Sequence, residues 1–190
     1  MFTIQVATKY HFDLAPKICE EMESSAKIRG TGIAKRTPEY IKKKMSEGKA
    51  IIALTQNNQW AGFCYIETWQ NEEYVANSGL IVAPEFRNGG LAKMIKSKIF
   101  ELSREKYPNS KIFGLTTGLA VMKINSELGY KPVTYSELTK DKQFWNGCKS
   151  CVNYEILISK EFKNCLCTAM LYESNDKNKD DAKGENSIGI

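Results

Sequence analysis

Hydrophobic and polar positions change period several times along the chain, and each change marks an element. Residues 2–7 (FTIQVA) alternate and predict a short strand. Leu14, Ile18, Cys19 and Met22 then fall on one helical face, with Asp13 as the candidate cap and Pro16 in the tolerant first turn. A basic, glycine-containing loop follows, Arg29 to Arg36 (RGTGIAKR). Thr37-Pro38 opens a second helix, with Ile41 and Met45 inward and Gly48 at its end. Residues 50–54, 60–68 and 74–82 read as three strands separated by polar turns, an antiparallel meander stopped by Pro84.

From about Gly90 the period returns to that of a helix, carried by Leu91, Met94, Ile95, Ile99 and Leu102. A strand at 111–115 and a helix at 119–128, ended by Gly129, come next. Strands are predicted at 130–135 and 152–159, with a further one over 164–172 closing a hairpin on the latter. Residues 174–190 are polar and poor in apolar side chains, so a disordered tail is expected there, leaving 1–172 as one domain. The order predicts an α+β (mixed α/β) fold, one sheet with helices on its faces.

Composition changes this picture little. The chain has 190 residues, 42% hydrophobic and 26% charged, which suits one ordinary core. A net charge of +5 attracts an anionic ligand, but no basic stripe argues for nucleic acid. No apolar run approaches the ~20 residues of a membrane span, and the N-terminus lacks the pattern of a secretory signal. The expected location is therefore the cytoplasm, where the six cysteines would be reduced thiols or metal ligands. Monomer and homodimer are equally compatible with the sequence.

The segment richest in chemistry is Gly79–Ala92, GLIVAPEFRNGGLA. A strand ends at Pro84, and Arg87, Asn88, Gly89, Gly90, Leu91 and Ala92 turn directly into an amphipathic helix. A helix start offers unpaired N–H groups and a partial positive charge, and glycines allow a phosphate close to the backbone. A tight connection that merely needs glycine would look the same.

Arg87-x-x-Gly90-x-Ala92 resembles the phosphate-binding signature of the GNAT (GCN5-related N-acetyltransferase) superfamily. The preceding LIVAPEFR and the later SELGYKPV (126–133) resemble that family's fourth strand and fourth helix. The resemblance implies a GNAT fold, with a mostly antiparallel central sheet and helices on both faces. It implies acetyl-CoA or another acyl-CoA as co-substrate, no metal, and transfer of the acyl group to an amine. The amides from Arg87 to Ala92 would hold the pyrophosphate. The pantetheine would lie along Leu80, Ile81 and Val82, and an N–H near Leu80 or Ile81 would face the thioester carbonyl.

Many members of the family place a tyrosine four residues before the helix-4 glycine, where this chain has Asn125. Asparagine cannot donate a proton as an acid, so Asn125 is expected to hydrogen-bond the sulfur or the substrate. Glu67 is the candidate base or ammonium clamp, and an exposed strand residue is its alternative reading. Tyr65, Tyr130 and Tyr135 are candidate acids that read more simply as sheet aromatics, and His11 reads as a surface or capping residue.

In GNAT folds the loop between the first two helices shapes the acceptor pocket, which makes Arg29, Lys35 and Arg36 candidate grips for a small acidic acceptor. GTGIAKR, FGLTTGLAVMKINSELGY and KNCLCTAMLY also resemble a bacterial GNAT subgroup encoded beside arginine-biosynthesis genes. That implies acetylation or succinylation of a small-molecule amine, an acidic amino acid such as glutamate. A protein lysine or N-terminus as acceptor, and a non-catalytic acyl-CoA sensor, are the competing readings.

Cys148-x-x-Cys151 and Cys165-x-Cys167 invite a zinc reading. The predicted hairpin argues against it, because it would set Cys151 about 20 Å from the second pair at ~3.3 Å per residue. Buried structural thiols and no metal are the expectation.

Overall fold

The computed structural model describes residues 1–173; the polar segment expected to be a tail begins at 174 and lies outside them. The elements are β1 (Phe2–Val6), α1 (Ala15–Ile28), α2 (Pro38–Ser46), β2 (Ala50–Thr55), β3 (Trp60–Trp69), β4 (Tyr74–Val82), α3 (Leu91–Lys106), β5 (Lys111–Thr116), α4 (Leu119–Glu127), β6 (Lys131–Val133), α5 (Lys142–Asn146), α6 (Tyr154–Ser159) and β7 (Thr168–Tyr172). Among them no helix is long and apolar enough to cross a membrane.

The strands form a seven-stranded sheet in the order β1-β2-β3-β4-β5-β7-β6. Every neighbouring pair is antiparallel except β4 and β5. The period-2 pattern sorts side chains between two layers. On β2, Ile51 and Ala53 join Ile95 and Ile99 of α3, while Ala50, Ile52 and Leu54 join Ile18 of α1 and Ile41 and Met45 of α2. Burying each such Ile or Met contributes roughly 1.5–3 kcal/mol, which fixes strand register more firmly than local propensity does. A third cluster, around Tyr74, Phe113, Leu157 and Leu171, packs the C-terminal segment onto the far end of the sheet.

Local signals explain most boundaries. The Thr37 hydroxyl accepts from Tyr40 N–H at 3.2 Å and caps α2, as its sequence predicts. Asp13 does not cap α1, because residues 9–14 form a 3-10 turn and the helix starts from Leu14. His11 closes that turn, its Nδ1 accepting from Thr8 N–H at 2.9 Å.

The C-terminal strand prediction fails in one place. Residues 154–159 form α6, not a strand, and Leu157 is the only residue of it that is buried. Its apolar run YEILI is too short for periodicity to separate helix from strand. The hairpin expected with 164–172 is therefore absent; β7 instead inserts between β5 and β6.

One irregularity shapes the middle of the sheet. Phe63 pairs with Ile81 and Tyr65 with Ser78, so Cys64 faces both Gly79 and Leu80 across a β-bulge. Gly79 has φ +64°, and a Cβ there would lie 2.3 Å from Cε1 of Tyr65. Gly79→Ala is expected to cost about 1–3 kcal/mol or more in urea unfolding. A variant as stable as the parent would show that the bulge does not need glycine.

Candidate functional site

β4 and β5 pair only through Tyr74–Lys111, Val75–Ile112 and Ala76–Phe113. Beyond Ala76 and the bulge the strands part, and β5 continues its pairing with β7 alone. The gap opens into a cleft of about 1180 Å³ that runs from the start of α3 to the loop between α1 and α2. Leu80, Ile81, Val82, Arg87, Asn88, Gly90, Leu91 and Ala92 line it, as do Glu67, Asn125, Arg29, Lys35 and Arg36; Gly89 does not.

At one end is the turn into α3. Asn88 and Gly90 both hold left-handed φ, +65° and +78°. Among the described residues the amides of Asn88, Gly89, Gly90, Leu91 and Ala92 donate to no backbone carbonyl. A Cβ added at Gly89 or Gly90 would meet nothing within 4 Å, so the concave side of this turn is open. Five free N–H groups beside the positive end of a 16-residue helix make an anion cradle.

Arg87 does something the sequence did not suggest. Its Nε donates to Val82 O at 3.0 Å and its Nη2 to Glu21 Oε1 at 2.8 Å and to Ser25 Oγ at 2.5 Å. It ties the phosphate-type turn to α1. Arg29 stands near it: burial, and then the charge of Arg87, holds the Arg29 guanidinium below its usual value, while Glu21 works the other way.

The other end of the cleft is a compact polar network. Glu67 is only 4% exposed, on the sheet face that α1 and α2 cover. The Tyr40 hydroxyl donates to its Oε1, and Nη2 of Arg36 lies 3.5 Å from the same oxygen. Nε of Arg36 donates to the Tyr65 hydroxyl oxygen at 2.6 Å, and the guanidinium covers the Tyr40 ring at 5.3 Å. Burial, then the Glu67 charge, raises both tyrosines above their ordinary range, so they stay neutral. Arg36 is held charged: burial opposes its charge, but Tyr65 and Glu67 together outweigh it. Tyr40 was not foreseen; its spacing of three from Thr37 on a capped helix marks only a position on the first turn.

Lys35 contributes less. Its side chain is 67% exposed and pairs with Glu23 at 3.1 Å, a surface bridge of little energetic weight. Asn125 is buried, its Nδ2 3.6 Å from Met170 Sδ and its Oδ1 without a partner among the described residues. Of the candidate acids, Tyr130 donates to Asn77 Oδ1 at 3.0 Å and Tyr135 to Cys167 O at 2.9 Å, so both hydroxyls are already engaged.

Lys96 of α3 was also not foreseen from sequence, because it sits on a helix that otherwise shows its lysines to water. It lines the cleft yet is 2% exposed. Nζ reaches Asn77 O at 3.4 Å and lies 5.4 Å from the Tyr130 ring centre. Among the described residues it has no carboxylate partner. Burial lowers its pKa, with Cys64 pulling weakly the other way.

Solved structures share this fold, acetyltransferases of the GNAT superfamily among them. A Neisseria gonorrhoeae N-acetylglutamate synthase, solved with coenzyme A and N-acetyl-glutamate, superposes with a TM-score of 0.65 at 16% identity, over 91% of this chain and 35% of its own. The chain thus spans about a third of that synthase's length. A Mycobacterium tuberculosis protein in complex with CoA matches at TM-score 0.65 and 13% identity, covering 90% of this chain and 99% of its own. A GNAT superfamily phosphinothricin acetyltransferase from Sinorhizobium meliloti, in complex with AcCoA, matches at 0.61 and 13%, over 90% and 88%. No protein-family model matches the sequence, and no curated protein does.

Lys96→Met is expected to raise stability at neutral pH by about 1 kcal/mol or more, read from urea midpoints. A lysine whose folded-state pKa is depressed leaves the unfolded chain binding the extra proton, so native stability rises with pH toward the ordinary value of ~10.4. The variant should lose that part of the slope. Unchanged slope and lower stability would mean that Lys96 is favourably paired when charged.

Proposed function

We propose that the protein transfers an acyl group, acetyl in the simplest case, from coenzyme A to the α-amine of a free amino acid. The observation that carries this reading is the cleft's two ends: an open cradle of backbone amides at one and the Arg36–Glu67 pair, 3.5 Å apart, at the other. A pyrophosphate fits the first, since the turn is open where phosphate oxygens would sit and its donors are free. A zwitterion fits the second, since one side chain complements an ammonium and its neighbour a carboxylate.

Between them the parted edges of β4 and β5 leave room for an extended pantetheine pairing with Leu80, Ile81 and Val82 as a strand would. An N–H near Leu80 or Ile81 then faces the thioester oxygen, where negative charge grows during attack. Glu67 takes the proton that the amine must lose before its lone pair attacks the carbonyl carbon. The C–S bond breaks with its electrons on sulfur. A thiolate of ordinary pKa, ~8.5, leaves without an obligatory acid, so Asn125 need not donate a proton. Its unpartnered Oδ1 is instead free to accept a hydrogen bond from a bound ligand.

The acceptor suggested first is an acidic amino acid, with Arg29 and Lys35 adding positive charge on the same loop. The sequence resemblance to proteins encoded near arginine-biosynthesis genes supports glutamate, as does the N-acetyl-glutamate held by the gonococcal structure.

Acetyl-CoA and succinyl-CoA should each be incubated with a panel of amino acids and peptides, with free thiol release as the readout. Release is expected with amino acids, greatest for acidic ones. Glu67→Gln should lower kcat about 10²-fold or more. Arg36→Ala should raise the KM for the acceptor by about 10-fold or more while leaving that for acyl-CoA unchanged. CoA binding without release for any acceptor would favour a sensor; release with peptides alone would favour a protein acetyltransferase.

A further inference from the structure

The four C-terminal cysteines do converge, contrary to the hairpin geometry expected from sequence. Cys148 lies within the 3-10 turn Gly147–Ser150 and Cys151 directly follows it, ahead of α6, while Cys165 and Cys167 lie just before β7. Because α6 is a helix, the chain doubles back compactly, and all four side chains line one apolar pocket of about 40 Å³ walled also by Tyr135 and Leu157. All are free thiols.

Donors already point at two of the sulfurs. Asn153 N–H donates to Cys151 Sγ at 3.4 Å, and Cys167 N–H donates to Cys165 Sγ at 3.3 Å. Each comes from the residue two positions on, within turns that hold sulfur against backbone amides. The Tyr135 hydroxyl lies 2.9 Å from Cys165 Sγ. The two backbone donors orient their sulfurs as a metal's outer shell does, while the Tyr135 hydroxyl, whose own proton goes to Cys167 O, packs against Cys165 Sγ.

The segment is anchored by partly buried side chains, Phe144, Trp145 and Tyr154, on the cluster around Leu157, and its own elements bury little. α5 buries no residue, the turn Gly147–Ser150 none, and α6 only Leu157. Short elements with so little core are commonly held by a covalent or metal crosslink.

We propose that Cys148, Cys151, Cys165 and Cys167 bind a zinc ion, which staples residues 147–167 beside the loop between α1 and α2. Four sulfur donors, one pair at Cys-x-x-Cys spacing, match the softness and tetrahedral preference of Zn²⁺. Among the described residues no three His, Cys, Asp or Glu side chains already form a group that could hold a metal ion, so zinc binding requires the four thiols to reorient within the pocket they line.

The coupling to the loop is steric and direct. A Cβ on Gly32 would lie 2.1 Å from Cys151 Sγ and 3.0 Å from Asn153 Nδ2, so the loop backbone rests against the cysteine turn. Lys35 N–H donates to Ser150 Oγ at 3.0 Å. Arg36 follows immediately. The ion thereby fixes the backbone that presents Arg36, and this clause alone rests on the acyl-transfer reading; zinc binding does not.

The test uses the full chain, purified under reducing conditions and given zinc alone. About one tightly held zinc per chain is expected. The cobalt-substituted protein should show the intense visible bands of a tetrahedral thiolate site. Cys151→Ser combined with Cys165→Ser should lose the metal, and Cys19→Ala should keep it. Because the double variant can fail to fold, parent protein stripped with a chelator and reloaded gives a second reading. Zinc should protect four of the six thiols from alkylation and slow amide exchange across residues 31–36, whether or not any acyl transfer is detected. Absence of zinc from reduced, folded protein, zinc retained by the double variant, or disulfides in place of free thiols would overturn the proposal. Zinc binding with unchanged exchange at 31–36 would overturn the loop coupling alone.

Discussion

The parting of β4 from β5 organises the cleft. β4 leaves β5 after Ala76, and further along the same strand Gly79 and Leu80 both stand opposite Cys64, so two strands that should share a ladder stop sharing it. Unpaired backbone beside a gap is costly unless something satisfies it. Here the cost is met at a cleft whose length, direction and polar ends all follow from that departure. The strand continues past the bulge to Val82, the chain turns at Pro84, and α3 begins with its free amides facing the same space. Arg87, bound to Val82 O and to Glu21 of α1, locks the turn in that position.

The far end obeys a different rule. A carboxylate as buried as Glu67 survives only with a charged or hydrogen-bonding partner, and it has both in Arg36 and Tyr40. Two neutral tyrosines brace the pair, so its two charges are fixed in place before any ligand arrives. On the proposed reading, this pair exchanges its mutual contact for the ammonium and carboxylate of a zwitterion. Lys96 is the exception to the rule, a buried amine that among the described residues has backbone and ring contacts alone, and it lines the cleft.

Strong periodicity made most of the fold legible. β1 to β5, α2 and α3 fall close to where alternation, Thr37-Pro38 and the Leu91–Leu102 stripe put them, and the glycine turn leads into α3 where the sequence places it. Residues 152–159 did not, because a run of five or six apolar positions reads as either strand or helix until its neighbours are known. That single error hid the meeting of the cysteines, which depends on how the chain doubles back rather than on spacing. Glu67 and Arg36 were each visible as charges, but their partnership was not, since it joins a loop to a strand thirty-one residues away. Tyr40 and Lys96 carried no local mark, as their burial is decided by what packs over them.

The central claim is that the amides leading into α3 hold a diphosphate while the β4 edge holds an extended arm. Amide-resolved NMR of the labelled protein, titrated with CoA, tests it most directly. The account predicts saturable shifts at Asn88, Gly89, Gly90, Leu91 and Ala92, together with Leu80, Ile81 and Val82, and little change in β1 and β2. Saturable shifts confined to other surfaces, or none at millimolar CoA, would contradict it.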